Sequence, residues 1–187
     1  REALRDVDAG GTILFDPTVF TGSAANTISL SLGEFKLNKS YTVDASGLAA
    51  PVVIQANGAS RHFTVYPGKV VGLKRLTLLG GNVSADPNFK EGGAIYSSGN
   101  LSLTECRLAS NTAGTYGGGL FSYAVSGNAS VSLVRCVVEG NSVPFNAAGL
   151  MNWAAAGYSA TMTVEASTIS GNVATRSGVS SGGRSEE

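Results

Sequence analysis

Leu101-Ser-Leu-Thr-Glu-Cys-Arg-Leu-Ala-Ser-Asn111 decides the architecture, because the chain carries versions of this stretch four times. The other copies are Val71-Gly-Leu-Lys-Arg-Leu-Thr-Leu-Leu-Gly-Gly-Asn82, Val131-Ser-Leu-Val-Arg-Cys-Val-Val-Glu-Gly-Asn141 and Met162-Thr-Val-Glu-Ala-Ser-Thr-Ile-Ser-Gly-Asn172. With starts at Val71, Leu101, Val131 and Met162, the motif returns about once every thirty positions. Apolar residues recur at offsets 0 and 2, the period of a strand whose alternate side chains share a face. They recur again at offset 7, and offset 5 holds Leu76, Cys106, Cys136 and Ser167. Between offsets 2 and 5 the alternation shifts by one, so a bend joins two short strands there. Each copy closes on Asn behind a small residue, Gly81, Ser110, Gly140 or Gly171.

A second, weaker repeat lies between the copies. Gly92-Gly93-Ala94-Ile95, Gly118-Gly119-Leu120-Phe121, Ala148-Gly149-Leu150-Met151 and Ser177-Gly178-Val179 take equivalent places. Each period thus carries about three short strands, too little to bury an apolar face alone. Stacking the periods pairs each strand with its equivalent one period later, at ~4.8 Å. The expected fold is all-β, a single-stranded right-handed parallel β-helix, or solenoid. An antiparallel sandwich with strands every ~8–12 residues would not repeat Cys, Asn and aromatic positions in step.

Working outward, Arg1 to Val7 has helical spacing and stops at Gly10-Gly11, giving a cap segment over 1–11 with a short helix. Thr12–Phe15, Thr27–Leu32, Tyr41–Val43, Val52–Ile54 and His62–Val65 read as further strands. The β-helix is expected over 12–176, about seven coils, irregular to about residue 70 and in ~30-residue repeats thereafter. Residues 177–187 form a Ser/Gly-rich tail, read as a truncated end of a longer protein.

Composition agrees. Ser, Thr, Asn and Gly supply 74 of the 187 residues, as closely spaced turns require. Thirteen basic residues balance 13 acidic ones, which leaves no basic footprint for nucleic acid. No apolar run approaches the ~18 residues that cross a bilayer. Two Cys and one His leave little for a soft-ligand metal site, and no cofactor is expected.

Arg1-Glu2-Ala3-Leu4, Thr12-Ile-Leu-Phe-Asp-Pro17 and Tyr41-Thr-Val-Asp44 resemble the start of the CSLREA-type β-helix domain without its leading Cys-Ser-Leu. Gly92-Gly-Ala-Ile95 is similar to the GGAI element of the polymorphic outer membrane protein repeats. Leu108-Ala-Ser-Asn111, Val138-Glu-Gly-Asn141 and Ile169-Ser-Gly-Asn172 stand for their FxxN element, with an aliphatic in place of Phe. The resemblance implies a pectin-lyase-like β-helix on a secreted or surface-exposed bacterial protein, adhesive or structural. It specifies a fold and not a reaction.

Stacking turns each aligned column into a ladder. Asn82, Asn111, Asn141 and Asn172 are expected to bond through stacked amides at a turn. Cys106 and Cys136 face inward one period apart, either as free thiols or as a bridge between coils. Arg75, Glu105 and Arg135 would form an outward ladder of alternating charge. Tyr123 and Trp153 share a column with Ser98, while Phe89, Tyr116 and Phe145 fall in the loops after the Asn ladder. These five aromatics either stack on a ligand such as a sugar or cover coil edges.

Signs of catalysis are sparse. Glycoside hydrolysis ordinarily takes two carboxylates ~5–10 Å apart. Glu105, Glu139 and Glu165 fall in different columns, and Asp86 and Glu91 complete the acidic residues of the repeats. His62, next to Arg61 with no evident acidic companion, reads as a surface residue. No Gly-x-Ser-x-Gly elbow is present. The reading is a non-catalytic structural or adhesive segment, extracellular or on the outer membrane or cell surface. Its partners would be carbohydrate or a host or cell-surface protein, with self-association through an open coil end. The alternative is a polysaccharide-binding or polysaccharide-degrading β-helix, a lyase or hydrolase whose catalytic residues are not evident here.

Overall fold

The computed structural model describes residues 1–22 and 26–175; the tail expected over 177–187, with Ser177-Gly178-Val179, lies outside the described residues. Three parallel sheets wind around one core. The first stacks β1 (Thr12–Leu14), β4 (Tyr41–Asp44), β7 (Val70–Lys74), β10 (Asn100–Thr104), β13 (Ala129–Val134) and β17 (Ala160–Glu165) in that order. The second stacks β2 (Thr27–Ser29), β5 (Val52–Gln55), β8 (Leu76–Leu79), β11 (Arg107–Ala109), β14 (Val137–Glu139) and β18 (Thr168–Ser170). The third stacks β3 (Phe35–Leu37), β6 (Phe63–Val65), β9 (Ile95–Ser97), β12 (Leu120–Ala124) and β16 (Leu150–Ala154). A short ladder of β15 (Ser142–Val143) and β19 (Val173–Ala174) fills the corner between the second and third sheets.

The chain visits the sheets in turn, so the molecule is the expected parallel β-helix. Among the described residues it has five complete coils and the first two strands of a sixth, not seven coils. One coil takes one full repeat of the sequence, and 12–176 has room for no more.

In the first sheet Thr12, Thr42, Gly72, Ser102 and Ser132 lie over one another in steps of 30, with Thr163 a step of 31 further on. The count of 30 therefore holds in the first sheet from the first coil. The irregularity expected to about residue 70 lies in the second and third sheets, where Thr27 pairs with Val53 and Phe35 with Phe63. Val53 pairs with Thr77 and Phe63 with Ile95, steps of 24 and 32. Corner loops of unequal length absorb the difference before the chain returns to the first sheet.

Alternation puts Val43, Leu73, Leu103 and Leu133 inward from the first sheet, Ile54, Leu78, Leu108 and Val138 from the second, and Phe63, Ile95 and Leu120 from the third. All are buried, each contributing ~1.5–3 kcal/mol against exposure. Val164 and Ile169, which occupy the same columns in the last coil, are partly open because no further coil covers them among the described residues.

The predicted bend is a single left-handed residue between first-sheet and second-sheet strands. Arg75, Glu105, Arg135 and Ala166 take it, with φ of 54, 54, 52 and 48°. A left-handed residue reverses which face its successors present, hence the shifted alternation. A second such position follows the second sheet at Gly80, Ser110, Gly140 and Gly171. That is why small residues recur there. It also corrects the alignment, since Gly80 and not Gly81 is the equivalent of Ser110.

The other end of the solenoid is covered by α1 (Glu2–Asp6), a single turn. Leu4 and Val7 pack on the core, and Lys39 Nζ donates to the Arg5 and Val7 carbonyls at 2.6 and 3.2 Å. Strand β3 leaves no periodic trace in the sequence. Phe-Lys-Leu is too short to display alternation, yet Phe35 stacks on Phe63 with centroids 5.5 Å apart.

Candidate ligand-binding face

Two ladders set the geometry on which outer side chains are displayed. At the corner after the second sheet, Asn111 Nδ2 donates to Asn141 Oδ1 at 2.9 Å, and Asn141 Nδ2 to Asn172 Oδ1 at 2.8 Å. The other Nδ2 hydrogens reach Leu78, Leu108 and Val138 carbonyls of the preceding coil. The same Oδ1 atoms accept the backbone N–H of the residue one coil before. Asn82 does not belong to this ladder. Gly81 takes its place, donating its N–H to Asn111 Oδ1 at 2.8 Å, and Asn82 pairs with Thr112 one position later. A side chain at position 81 is excluded, since its Cβ would lie 2.1 Å from the Gly93 carbonyl.

The charged ladder is shorter than expected. Arg135 pairs with Glu105 at 3.0 Å, both largely exposed. Arg75 turns away to hydrogen-bond the Ser46, Leu48 and Ala49 carbonyls, because that loop offers three acceptors nearer than the Glu105 carboxylate. Cys106 and Cys136 stack as expected and are free, buried thiols. The neighbouring Cys136 sulfur and then burial push the Cys106 thiol above the ordinary range, and the two Sγ atoms donate to the Leu73 and Leu103 carbonyls at 3.3 and 3.5 Å.

The outer face of the third sheet gathers seven aromatic side chains. Its outward column reads Lys36, Thr64, Tyr96, Phe121 and Met151. Tyr123 and Trp153 pair in the next column, centroids 6.0 Å apart. Tyr116 packs edge-on against Trp153 at 6.0 Å and also meets Phe121 and Phe145, each at 6.4 Å. Phe89 meets Tyr96 at 6.5 Å. The five aromatics singled out in the sequence therefore join, through Tyr96 and Phe121, into one continuous surface. Sequence reasoning misses Tyr96 and Phe121 because it aligns Gly92–Ile95 one residue out of step: Ile95 lies opposite Leu120, not Phe121. The loop aromatics are not stacked by the period. Tyr116 lies over Asn146, and Phe145 reaches it from one residue away. Phe121 is buried beneath the others, whereas Phe89, Phe145 and Trp153 are 59, 47 and 50% exposed.

At one end this surface meets a cleft of about 500 Å³ lined by Glu34, Lys36, Ser60, Arg61 and Asp86 among others. Arg61 is buried, its Nε 3.0 Å from Glu34 Oε2, its Nη2 donating to the Phe89 carbonyl at 2.6 Å and its guanidinium 5.5 Å from the Tyr96 centroid. Thr64 Oγ1 also donates to Glu34 Oε2, at 2.8 Å. Arg61 thus has an acidic companion that its sequence neighbourhood does not reveal, Glu34 on the coil before. Asp86 accepts the Asn88 and Phe89 backbone N–H groups, which hold its carboxyl below the usual range.

His62 is not a surface residue. It is fully buried at the corner before β6, Nε2 3.2 Å from the Leu79 carbonyl, and burial lowers its pKa to about 4. The His62 and Phe63 N–H groups both donate to the Ala94 carbonyl, at 2.9 and 3.2 Å, and this local bulge interrupts the alternation so that both side chains are buried. Among the described residues no three His, Cys, Asp or Glu side chains gather to hold a metal, and no helix is long and apolar enough to cross a membrane. No family model, no curated protein and no solved structure matches the chain.

Proposed function

We propose that the chain is a non-catalytic structural and adhesive segment of a secreted or surface-exposed bacterial β-helix protein. The continuous aromatic face of the third sheet carries the reading. Seven rings linked in a chain of contacts, with Phe89, Phe145 and Trp153 about half exposed, make a strip on which the C–H faces of sugar rings would stack. Coil-on-coil hydrogen bonding holds the strip in one conformation, so little freedom is lost on binding. The resemblance of residues 1–4, 12–17, 41–44 and 92–95 to CSLREA-type and polymorphic outer membrane protein repeats supports an extracellular or cell-surface location.

Polysaccharide degradation is the weaker reading. Glu34 and Asp86 share the cleft, but a general acid needs a raised pKa. Asp86 is held low by two backbone N–H groups, and Glu34 is engaged by Arg61 and Thr64. That arrangement suits hydrogen-bonding a ligand better than protonating one.

Trp153 is the only tryptophan, so its emission reports on the strip directly. Titration with neutral oligosaccharides is expected to shift that emission saturably, and Trp153→Ala to weaken binding by about tenfold or more, as loss of a stacking platform does. Flat titrations across neutral and acidic oligosaccharides would overturn the glycan-adhesive role.

A further inference from the structure

The geometry points to the cleft between Arg61, Glu34 and Asp86 as a seat for one uncharged sugar ring, the terminal unit of a glycan laid along the aromatic face. This rests on the glycan-adhesive reading and adds a site and a ligand chemistry to it. Three observations carry it.

The first is a fixed guanidinium with donors to spare. Arg61 has a 5% exposed side chain and is held by Glu34, the Phe89 carbonyl and the Tyr96 ring. Its Nη1 donates to no acceptor among the described residues, although Arg61 lines the cleft. Holding a guanidinium this tightly while leaving one nitrogen unused is a preorganised donor, costing no side-chain ordering when a ligand arrives.

The second is that unused acceptors stand beside that donor. Glu34 spends Oε2 on Arg61 and Thr64 and keeps Oε1; Asp86 spends Oδ1 on the Asn88 and Phe89 amides and keeps Oδ2. Donor and acceptors together match adjacent hydroxyls, each of which both gives and takes a hydrogen bond. Charge selects against other ligands. Arg61 and Lys36 balance Glu34 and Asp86, so the lining carries no net demand for an ion. An acidic sugar or a phosphate would meet two carboxylates, and a metal cation would meet the guanidinium.

The third is size and place. The volume of about 500 Å³ lies in the ordinary range of small-ligand sites. The cleft also adjoins the strip through shared parts, since Phe89 supplies the carbonyl that anchors Arg61 and the ring that packs on Tyr96.

The test is a titration of the ¹⁵N-labelled chain with glucose, galactose, mannose and N-acetylglucosamine, and with glucuronate as the charged comparison. At least one neutral sugar is expected to shift the Gly58 and Ser60 amides and the Arg61 Nε–H signal with a Kd on the order of millimolar. Asp86→Asn and Glu34→Gln should each weaken that binding by about tenfold, with amides remote from the cleft unchanged. The proposal is overturned if no neutral sugar moves these signals up to roughly 100 mM, a free energy too small to call binding. It is equally overturned if glucuronate binds more tightly than every neutral sugar, or if both variants bind as the parent does. Trp153→Ala should leave the monosaccharide shifts intact while weakening oligosaccharides. Oligosaccharides that move Trp153 emission but never the cleft signals would sink the seat and leave the adhesive reading standing.

Discussion

The first and third sheets share one core and one mode of stacking, yet their outer faces differ sharply. On the first, Thr12, Thr42, Ser102, Ser132 and Thr163 give a column of small hydroxyl side chains interrupted at Gly72. On the third, the matching column grows from Lys36 and Thr64 to Tyr96, Phe121 and Met151, flanked by Tyr123 and Trp153. Spacing differs in the same way. Steps along the first sheet are constant at 30 until the last, while those along the third run from 28 through 32 and 25 to 30. Constancy marks where the chain is bound to its own fold. On the third-sheet side the loops carry Phe89, Tyr116 and Phe145, whose rings join those of the strands.

The comparison breaks hardest at the turn that leads into β9. Gly93 has no room for a methyl group: its Cβ would stand 2.3 Å from the Gly118 carbonyl and 2.7 Å from that of Thr112, all backbone. Gly93→Ala should cost at least about 4 kcal/mol in urea unfolding. Gly47→Ala, with nothing within 4 Å of its Cβ, should stay within about 0.5 kcal/mol.

Next comes the Asn ladder. Asn141→Ala strands the Leu108 carbonyl and the Asn111 amide donors in a dry corner and should cost about 3 kcal/mol. Asn82→Ala removes only an exposed hydrogen bond to the Ser84 amide, and should cost about 1 kcal/mol or less.

His62 gives the corner between the second and third sheets a pH signature. Its native ring takes a proton only near pH 4, whereas an unfolded His does so at about 6.5. Unfolded chain therefore gains protons first as pH falls. Stability present above pH 6.5 should be lost between pH 6.5 and 4, by about 3 kcal/mol, and level off below. His62→Leu should flatten that segment of the stability-versus-pH curve. An equal slope in both proteins would show that His62 does not titrate as described.

The smallest effect lies at the exposed bend. Glu105→Lys places a cation beside Arg135 and should cost only about 0.5–1 kcal/mol, because both partners are well hydrated. Thermal unfolding no lower than the parent's would show that the pair contributes nothing.

Much of the inner architecture is legible because it obeys a fixed count. Cys106 over Cys136, and Val71 over Leu101, Val131 and Met162, follow from arithmetic on the sequence alone. The Asn82 misassignment shows the limit. Matching letters place it with Asn111, while the count of 30 places Gly81 there, and the count is what hydrogen bonding obeys. The cleft is illegible for a different reason. Glu34 and Arg61 sit on successive coils across corners of unequal length, where no period predicts contact. His62 escapes the sequence because a bulge at the Ala94 carbonyl, and not strand alternation, buries it beside Phe63. The aromatic strip is half visible: its strand members follow the register, and its loop members are brought in by packing.

The Asn ladder also has a mechanical consequence. The Asn111 and Asn141 carboxamides each tie their own coil to the one before and the one after, so neither coil can leave without breaking a fixed set of bonds. A chain pulled from its ends should therefore come apart as a sequence of near-identical events. Each would release roughly 100 Å of contour length, about 30 residues at full extension.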